Sequence, residues 1–276
     1  EWTIVVDGNS YYSISGEVGG KLTTTKPTYA EPKNVGKKNE TTAAEQAASE
    51  AQSKWQKKLD TGYTKDLNAT DDTGYQEPLR AEKFEDYADE VTYPAHVDDK
   101  LNGVRVWIRH NDPRSRKNKP FNTLDHIKEE LAPFFAKYPD LYVDAELFNP
   151  NLKNNQGRID LGDMVKLVSV AIKPKDLTPE LLAKSRQIVQ LWVYDGFGFD
   201  GITQDTPRNE RREALKKLLK GLKSVFVLDY ATVKNRQELD KLKAKSAKEK
   251  REGIMVYWGR SEEHTSELQS RETISY

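Results

Sequence analysis

The run Lys100-Leu101-Asn102-Gly103-Val104-Arg105 decides how the rest of the chain is read. It sets a lysine just after Val97-Asp98-Asp99, a glycine three residues on, and an arginine at the head of Val104–Arg109, whose pattern predicts a strand. Gly103 would let the backbone turn tightly beside a ligand. A lysine that attacks a phosphorus atom must be neutral. Free lysine has a pKa of about 10.4, so a drop of ~3 units needs ~4 kcal/mol of differential stabilisation. Burial and neighbouring positive charge are the available means, and Arg105 is close in sequence. Taken alone, the six residues also fit an ordinary turn before a strand.

Downstream, strands are expected at Leu141–Leu147, Ile188–Tyr194, Val225–Tyr230 and Ile254–Val256. Helices are expected at Leu124–Phe135, Pro179–Ser185, Pro207–Leu219 and Asn235–Glu249. Thr178-Pro179 and Thr206-Pro207 offer a capping hydroxyl followed by proline in the first turn. Strands and helices mix without a strict βαβ repeat, which favours an α+β fold with a largely antiparallel sheet. Asn149–Lys175 reads as a polar surface insertion.

Upstream, Trp2–Ser15 is rich in β-formers around Asp7-Gly8-Asn9, a hairpin signal. A polar stretch from Lys21 to Asn39 follows. Ala43–Leu59 then shows helical spacing, with Thr41 or Thr42 as the cap and Gly62 as the stop. Residues 64–82 read as a linker, and the larger domain begins near Lys83.

The 276 residues carry 44 bases and 44 acids, so global charge gives no sign of a nucleic-acid partner. Locally, residues 105–119 hold six bases (Arg105, Arg109, Arg114, Arg116, Lys117 and Lys119) against one acid, Asp112. With no cysteine, disulfides and thiolate metal sites are excluded. The four histidines are not at metal-site spacing, which argues against a zinc enzyme. No apolar run approaches the roughly 20 residues that cross a bilayer, and no membrane partner is expected.

Beyond Lys100 come Ser115-Arg116, Asp144-Ala145-Glu146-Leu147, Tyr194-Asp195 and Glu252-Gly253-Ile254-Met255-Val256. In this order the segments resemble the ATP-dependent DNA ligases, within the covalent nucleotidyltransferases that also include RNA ligases and capping enzymes. That family begins with Lys-x-Asp-Gly-x-Arg and goes on to a Ser-Arg pair, an Asp-Gly-Glu-Leu, an aromatic-Asp and a Glu-Gly-hydrophobic run. The resemblance implies that Lys100 is the catalytic nucleophile, taking AMP from ATP. It implies that Arg105 and Arg116 hold ribose or phosphate oxygens, as forked donors suit. It implies that Glu146 binds ribose or positions metal and that Glu252 holds Mg²⁺, an oxygen-preferring ion. Tyr194 would stack on adenine, with Ile254 or Met255 across the pocket. Asn102 replaces the motif's Asp, and Ala145 its Gly.

The implied fold is a nucleotidyltransferase domain over 83–259, with mostly antiparallel sheets flanked by helices. Residues 1–63 resemble a small WGR-type module, a nucleic-acid-associated sheet and helix, on the opening strands, the Gly16–Gly20 turn and Trp55-Gln56-Lys57-Lys58. A generic accessory domain fits as well. The family's closing Lys-x-Lys motif and OB-fold are not read in the chain. From Arg260 the sequence, with Ser261-Glu262-Glu263-His264-Thr265-Ser266-Glu267-Leu268-Gln269-Ser270, reads as translated sequencing adapter, so 260–276 is expected to be non-native. The expected activity is sealing of nicked duplex DNA by a monomeric, cytoplasmic enzyme of a bacterial or phage-infected cell. The chain as written is expected to form lysyl-AMP poorly and to seal no nicks. An RNA ligase, a capping-type enzyme and a non-catalytic nucleic-acid binder remain as alternatives.

Overall fold

The computed structural model describes residues 1–59, 63, 82–155, 157, 159–249, 251–258 and 265–269. The chain divides into two compact units, Glu1–Tyr75 and Gln76–Tyr276. Gly62 and all but Glu82 of the expected linker lie outside the described residues, as do 259–264 and 270–276.

The first unit is a small antiparallel sheet with one helix. Strands β1 (Trp2–Asp7) and β2 (Ser10–Ser15) form the expected hairpin, with Gly8 at a positive φ of 55°. Two short strands, β3 (Thr23–Thr24) and β4 (Thr28–Tyr29), add to β2 from within the polar stretch. Helix α1 runs Ala43–Leu59 and buries Ala47 and Ala51 against Tyr11 and Ala30. Its start is a reciprocal cap. Thr42 Oγ1 accepts from the Glu45 amide, and the Glu45 carboxylate accepts from the Thr42 amide.

The second unit opens with β5 (Glu82–Lys83), α2 (Phe84–Tyr87), β6 (Ala95–Lys100), β7 (Val104–Arg109) and β8 (Asp112–Ser115). Next come α3 (Asp125–Lys137), β9 (Tyr142–Phe148), α4 (Leu161–Val168), α5 (Pro179–Ile188) and β10 (Gln190–Phe197). The last elements are α6 (Arg208–Leu218), β11 (Val225–Val227), β12 (Tyr230–Val233), α7 (Arg236–Lys248), β13 (Gly253–Tyr257) and β14 (Thr265–Gln269). Two five-stranded sheets result, ordered β11-β10-β9-β7-β8 and β12-β6-β13-β14-β5. Pairing is antiparallel except for β10 with β11 and β14 with β5. The fold is therefore mixed α+β with antiparallel-dominated sheets.

In the first of these sheets the alternation is clean. Val106, Ile108, Val143, Ala145, Leu147, Leu191 and Val193 are wholly buried against the helices. Arg105, Trp107, Asp144, Glu146 and Trp192 therefore stand on the opposite face. In the second sheet Val97, Ile254 and Val256 pack with Leu239 of α7.

Several sequence expectations change. Lys100 ends a strand rather than sitting in a turn. The run Val225–Tyr230 splits into β11 and β12, which belong to different sheets. Asn149–Lys175 is not plain surface, because α4 buries Met164, Leu167 and Val168. Thr178 caps α5 through the Leu181 amide, but Thr206 does not cap α6, and its Oγ1 accepts from Thr203 instead. Thr265–Gln269, read as adapter-derived, runs as a strand along β13.

Candidate functional site

Lys100 is the last residue of β6 and lies opposite Gly253 of β13. The residue before that glycine, Glu252, accepts a hydrogen bond from Lys100 Nζ at 2.5 Å. Both side chains are partly exposed, at 20% and 31%, so the pair stands at an accessible surface. It opens on a cleft of about 540 Å³ lined by Lys100, Asn102, Phe148, Trp192, Leu228 and Glu252. Pro150, Lys153 and Ile159 of the polar insertion close one side of it.

Gly103 brings β7 hard against β9. A Cβ there would lie 2.4 Å from the Leu147 carbonyl oxygen and 2.6 Å from Glu146 Cγ. Register then puts Arg105 directly opposite Glu146, with Trp192 on its other side. Glu146 accepts from the Tyr194 hydroxyl at 2.8 Å. Burial pushes its carboxyl up to about 8, although the Tyr194 bond and Arg105 pull it down. Burial also raises the Tyr194 phenol well above its usual value.

Arg105 does not present a free fork. Its Nε reaches Asp144 Oδ1 at 2.9 Å and its terminal nitrogen reaches Oδ2 at 2.5 Å. Its guanidinium also lies 5.2 Å from the centre of the Tyr194 ring. Burial raises the Asp144 carboxyl, with Arg105 opposing that shift. Asp144, quoted in the sequence only as part of a motif, is thus a structural partner of the site.

The structure brings Lys100 to Glu252, and Arg105 to Glu146 and Tyr194. It does not bring Ile254 to them. Ile254 faces the core beside α7, whereas Met255 lies opposite Asp98 on the Lys100 face of β6. Arg116 is exposed at the tip of the Ser115–Lys119 turn, beyond the edge strand β8. Among the described residues no group of three or more acidic or histidine side chains is arranged to hold a metal. The site carboxylates that could reach a hard cation are Glu252, partly exposed at the cleft, and Glu146, buried on β9. Glu252 suits this better than Glu146, whose raised pKa leaves it mostly protonated near neutrality.

Sequence reasoning missed a buried charge cluster beside Lys100. Asp98, two residues earlier, accepts from Arg212 at 2.8 Å and from Arg208 at 3.0 Å. Burial would raise its carboxyl, but the two arginines outweigh burial and hold it low. Arg211 grips Asp195 through two bonds, at 2.9 and 2.6 Å. The sequence predicts helix α6 without marking its arginines as buried, and of these residues only Asp195 stands in a quoted motif.

Comparison with known proteins identifies the family and the fold. The family model "ATP dependent DNA ligase domain" matches residues 78–264. The DNA ligases of two African swine fever virus isolates, Warthog and Pretoriuskop, are each 29% identical over 240 residues, covering 82% of this chain and 51% of theirs. The chain thus spans about half the length of the curated relatives it matches. A solved structure described as Pmar-Lig_Pre has a similar fold, with a TM-score of 0.52 at 20% identity over 69% of this chain and 45% of that one. Another, from a study of Lig E DNA ligases, has a TM-score of 0.51 at 15% identity over 71% of this chain and 69% of that one. The chain belongs to the ATP-dependent DNA ligase domain family.

Proposed function

We propose that this domain carries out the first chemical step of ATP-dependent DNA ligation, transfer of AMP to Lys100. The observation that carries the reading is the placing of Lys100 at the end of β6, 2.5 Å from Glu252 at the mouth of a cleft large enough for a nucleotide. Lys100 Nζ attacks the α-phosphorus of ATP. A P–N bond forms, pyrophosphate leaves, and the amine's proton passes to solvent or to a nearby carboxylate. The ammonium–carboxylate pair is a resting arrangement, since the nucleophile needs its lone pair. Glu252 would hold Mg²⁺ on the phosphates once ATP is bound, and that would free the Lys100 amine from its ion pair. Mg²⁺ would neutralise charge on the phosphates. Trp192 and Tyr194 offer aromatic surface for the base, and Glu146 offers a hydrogen-bonding carboxyl for ribose. Arg105, held by Asp144, orients the Tyr194 ring rather than reaching phosphate. Arg116 is assigned to phosphate contact from its exposed turn, and Met255 to the pocket wall.

In a protein containing this domain, the lysyl-AMP then passes AMP to the 5′-phosphate of a nick. Attack by the 3′-hydroxyl seals the strand and releases AMP. Nicked duplex DNA is the proposed partner, met by a monomer in the cytoplasm. No helix among the described residues is long and apolar enough to cross a membrane. Incubation with ATP labelled at the α-phosphate, with Mg²⁺, tests the first step. A slow, Lys100-dependent label is expected, and none in Lys100→Ala. Competition between nicked DNA and nicked RNA tests the substrate, and equal or better use of RNA would overturn the DNA assignment.

A further inference from the structure

Helix α6 carries three arginines in five residues, Arg208, Arg211 and Arg212. The side chains of Arg211 and Arg212 are 0% and 1% exposed. A buried guanidinium must have its donors satisfied. Three hydrogen bonds of Arg212 go to three separate parts of the fold. Nε donates to the Tyr194 carbonyl on β10 at 2.7 Å, one terminal nitrogen to the Leu228 carbonyl at 2.5 Å, and the other to Asp98 Oδ2 on β6 at 2.8 Å. Arg208 repeats two of these, to Asp98 at 3.0 Å and to the Tyr194 carbonyl at 3.1 Å. Its guanidinium also lies 3.5 Å from the centre of the Tyr257 ring on β13. The other Asp98 oxygen is buried without a hydrogen bond, so its anchoring passes through Oδ2 to the two arginines. Strands β6 and β13 belong to one sheet and β10 to the other.

We propose that Arg212, with Arg208, is a positioning clamp that fixes the Lys100 strand against the Tyr194 strand. This rests on the assignment of Lys100 as nucleophile. Asp98 and Lys100 lie on the same face of β6, two residues or about 7 Å apart. Apolar packing holds two sheets together without fixing distance and orientation, whereas a fork with separate acceptors sets both. The clamp therefore sets where the amine meets the α-phosphorus of a nucleotide stacked near β10. An error of about 1 Å at such a point costs ~100-fold in rate.

The test uses Arg212→Lys, which keeps the buried charge but cannot span three acceptors, together with Asp98→Asn and the double variant. Truncation to alanine is avoided because an unpaired buried Asp98 would threaten folding. Adenylation is followed in a single turnover over a range of ATP concentration. Arg212→Lys is expected to slow the limiting rate about 10- to 100-fold while the half-saturating ATP concentration moves less than about threefold. The double variant is expected to be no slower than the slower single, because the two residues act as one unit. Amide hydrogen exchange supplies the second readout. Residues 95–100 should exchange faster in Arg212→Lys, with β9 unchanged. An unchanged limiting rate, a loss confined to ATP affinity, or unchanged exchange in β6 would overturn the clamp. If the wild type takes no label, the Lys100 reading fails, and the exchange result alone decides the clamp.

Discussion

Gly103 and Glu146 meet so closely that a side chain on the first would occupy the space of the second: a Cβ at Gly103 falls 2.6 Å from Glu146 Cγ. It would also fall 2.4 Å from the carbonyl oxygen of Leu147, on the strand that pairs with β7. The side chain can turn aside, but the backbone oxygen belongs to a ladder and cannot. Gly103→Ala is therefore expected to push the head of β7 away from β9, at a cost of about 1–3 kcal/mol of stability. Urea unfolding measures this, and a stability equal to wild type would show that the approach is looser than described.

Burial pushes the Glu146 carboxyl up to about 8 in the folded chain, against an ordinary 4.5. The folded state then holds its proton more tightly than the unfolded state does. Its contribution to stability is greatest below about 4.5, falls as pH rises through 8, and is constant above that. Glu146→Gln should remove this slope. The variant should gain on wild type by a few kcal/mol between pH 5 and 9, read as a difference in melting temperature that grows with pH. Tyr194→Phe should move the Glu146 midpoint higher still, because the hydroxyl that stabilises its charged form is gone. A parallel pH dependence in wild type and Glu146→Gln would remove Glu146 as the cause.

Arg105 and Asp144 form a partly buried two-bond pair, with side chains 31% and 13% exposed. Asp144→Asn leaves the guanidinium without its counter-charge beside the Tyr194 ring and should cost about 1–3 kcal/mol. Arg105→Lys should not restore what is lost on removing Arg105, since an ammonium cannot make both bonds. Stability of the two single variants and the double gives the coupling directly, and additive effects would mean the pair contributes nothing.

Much of this was legible because local and global signals agree. Val104–Arg109 and Ala43–Leu59 coincide with β7 and α1, where alternation and helical spacing are undisturbed. Lys100, Arg105, Glu146, Tyr194 and Glu252 are each visible as motif residues, and the fold pairs Lys100 with Glu252 and sets Arg105 and Tyr194 beside Glu146. Strand β6 was missed because Asp98-Asp99 breaks its apolar pattern, and the bases that make Asp98 tolerable lie more than a hundred residues away on α6. The same distance hid Arg211 and Arg212, which look solvated in a helix this charged. Val225–Tyr230 read as one strand because nothing local marks the change of sheet at Leu228-Asp229. The motif leaves Ile254 or Met255 for the pocket, and register turns Ile254 to the core and Met255 to the Lys100 face.

The central claim is that Lys100 accepts AMP. It is tested most directly by incubating the protein with Mg²⁺ and ATP labelled at either the α- or the γ-phosphate, then mapping labelled peptides under conditions that preserve a P–N bond. Label from the α-phosphate alone, on the peptide holding Lys100 and absent in Lys100→Ala, is the expected result. Label from the γ-phosphate, label that persists in Lys100→Ala, or no label on wild type would contradict it.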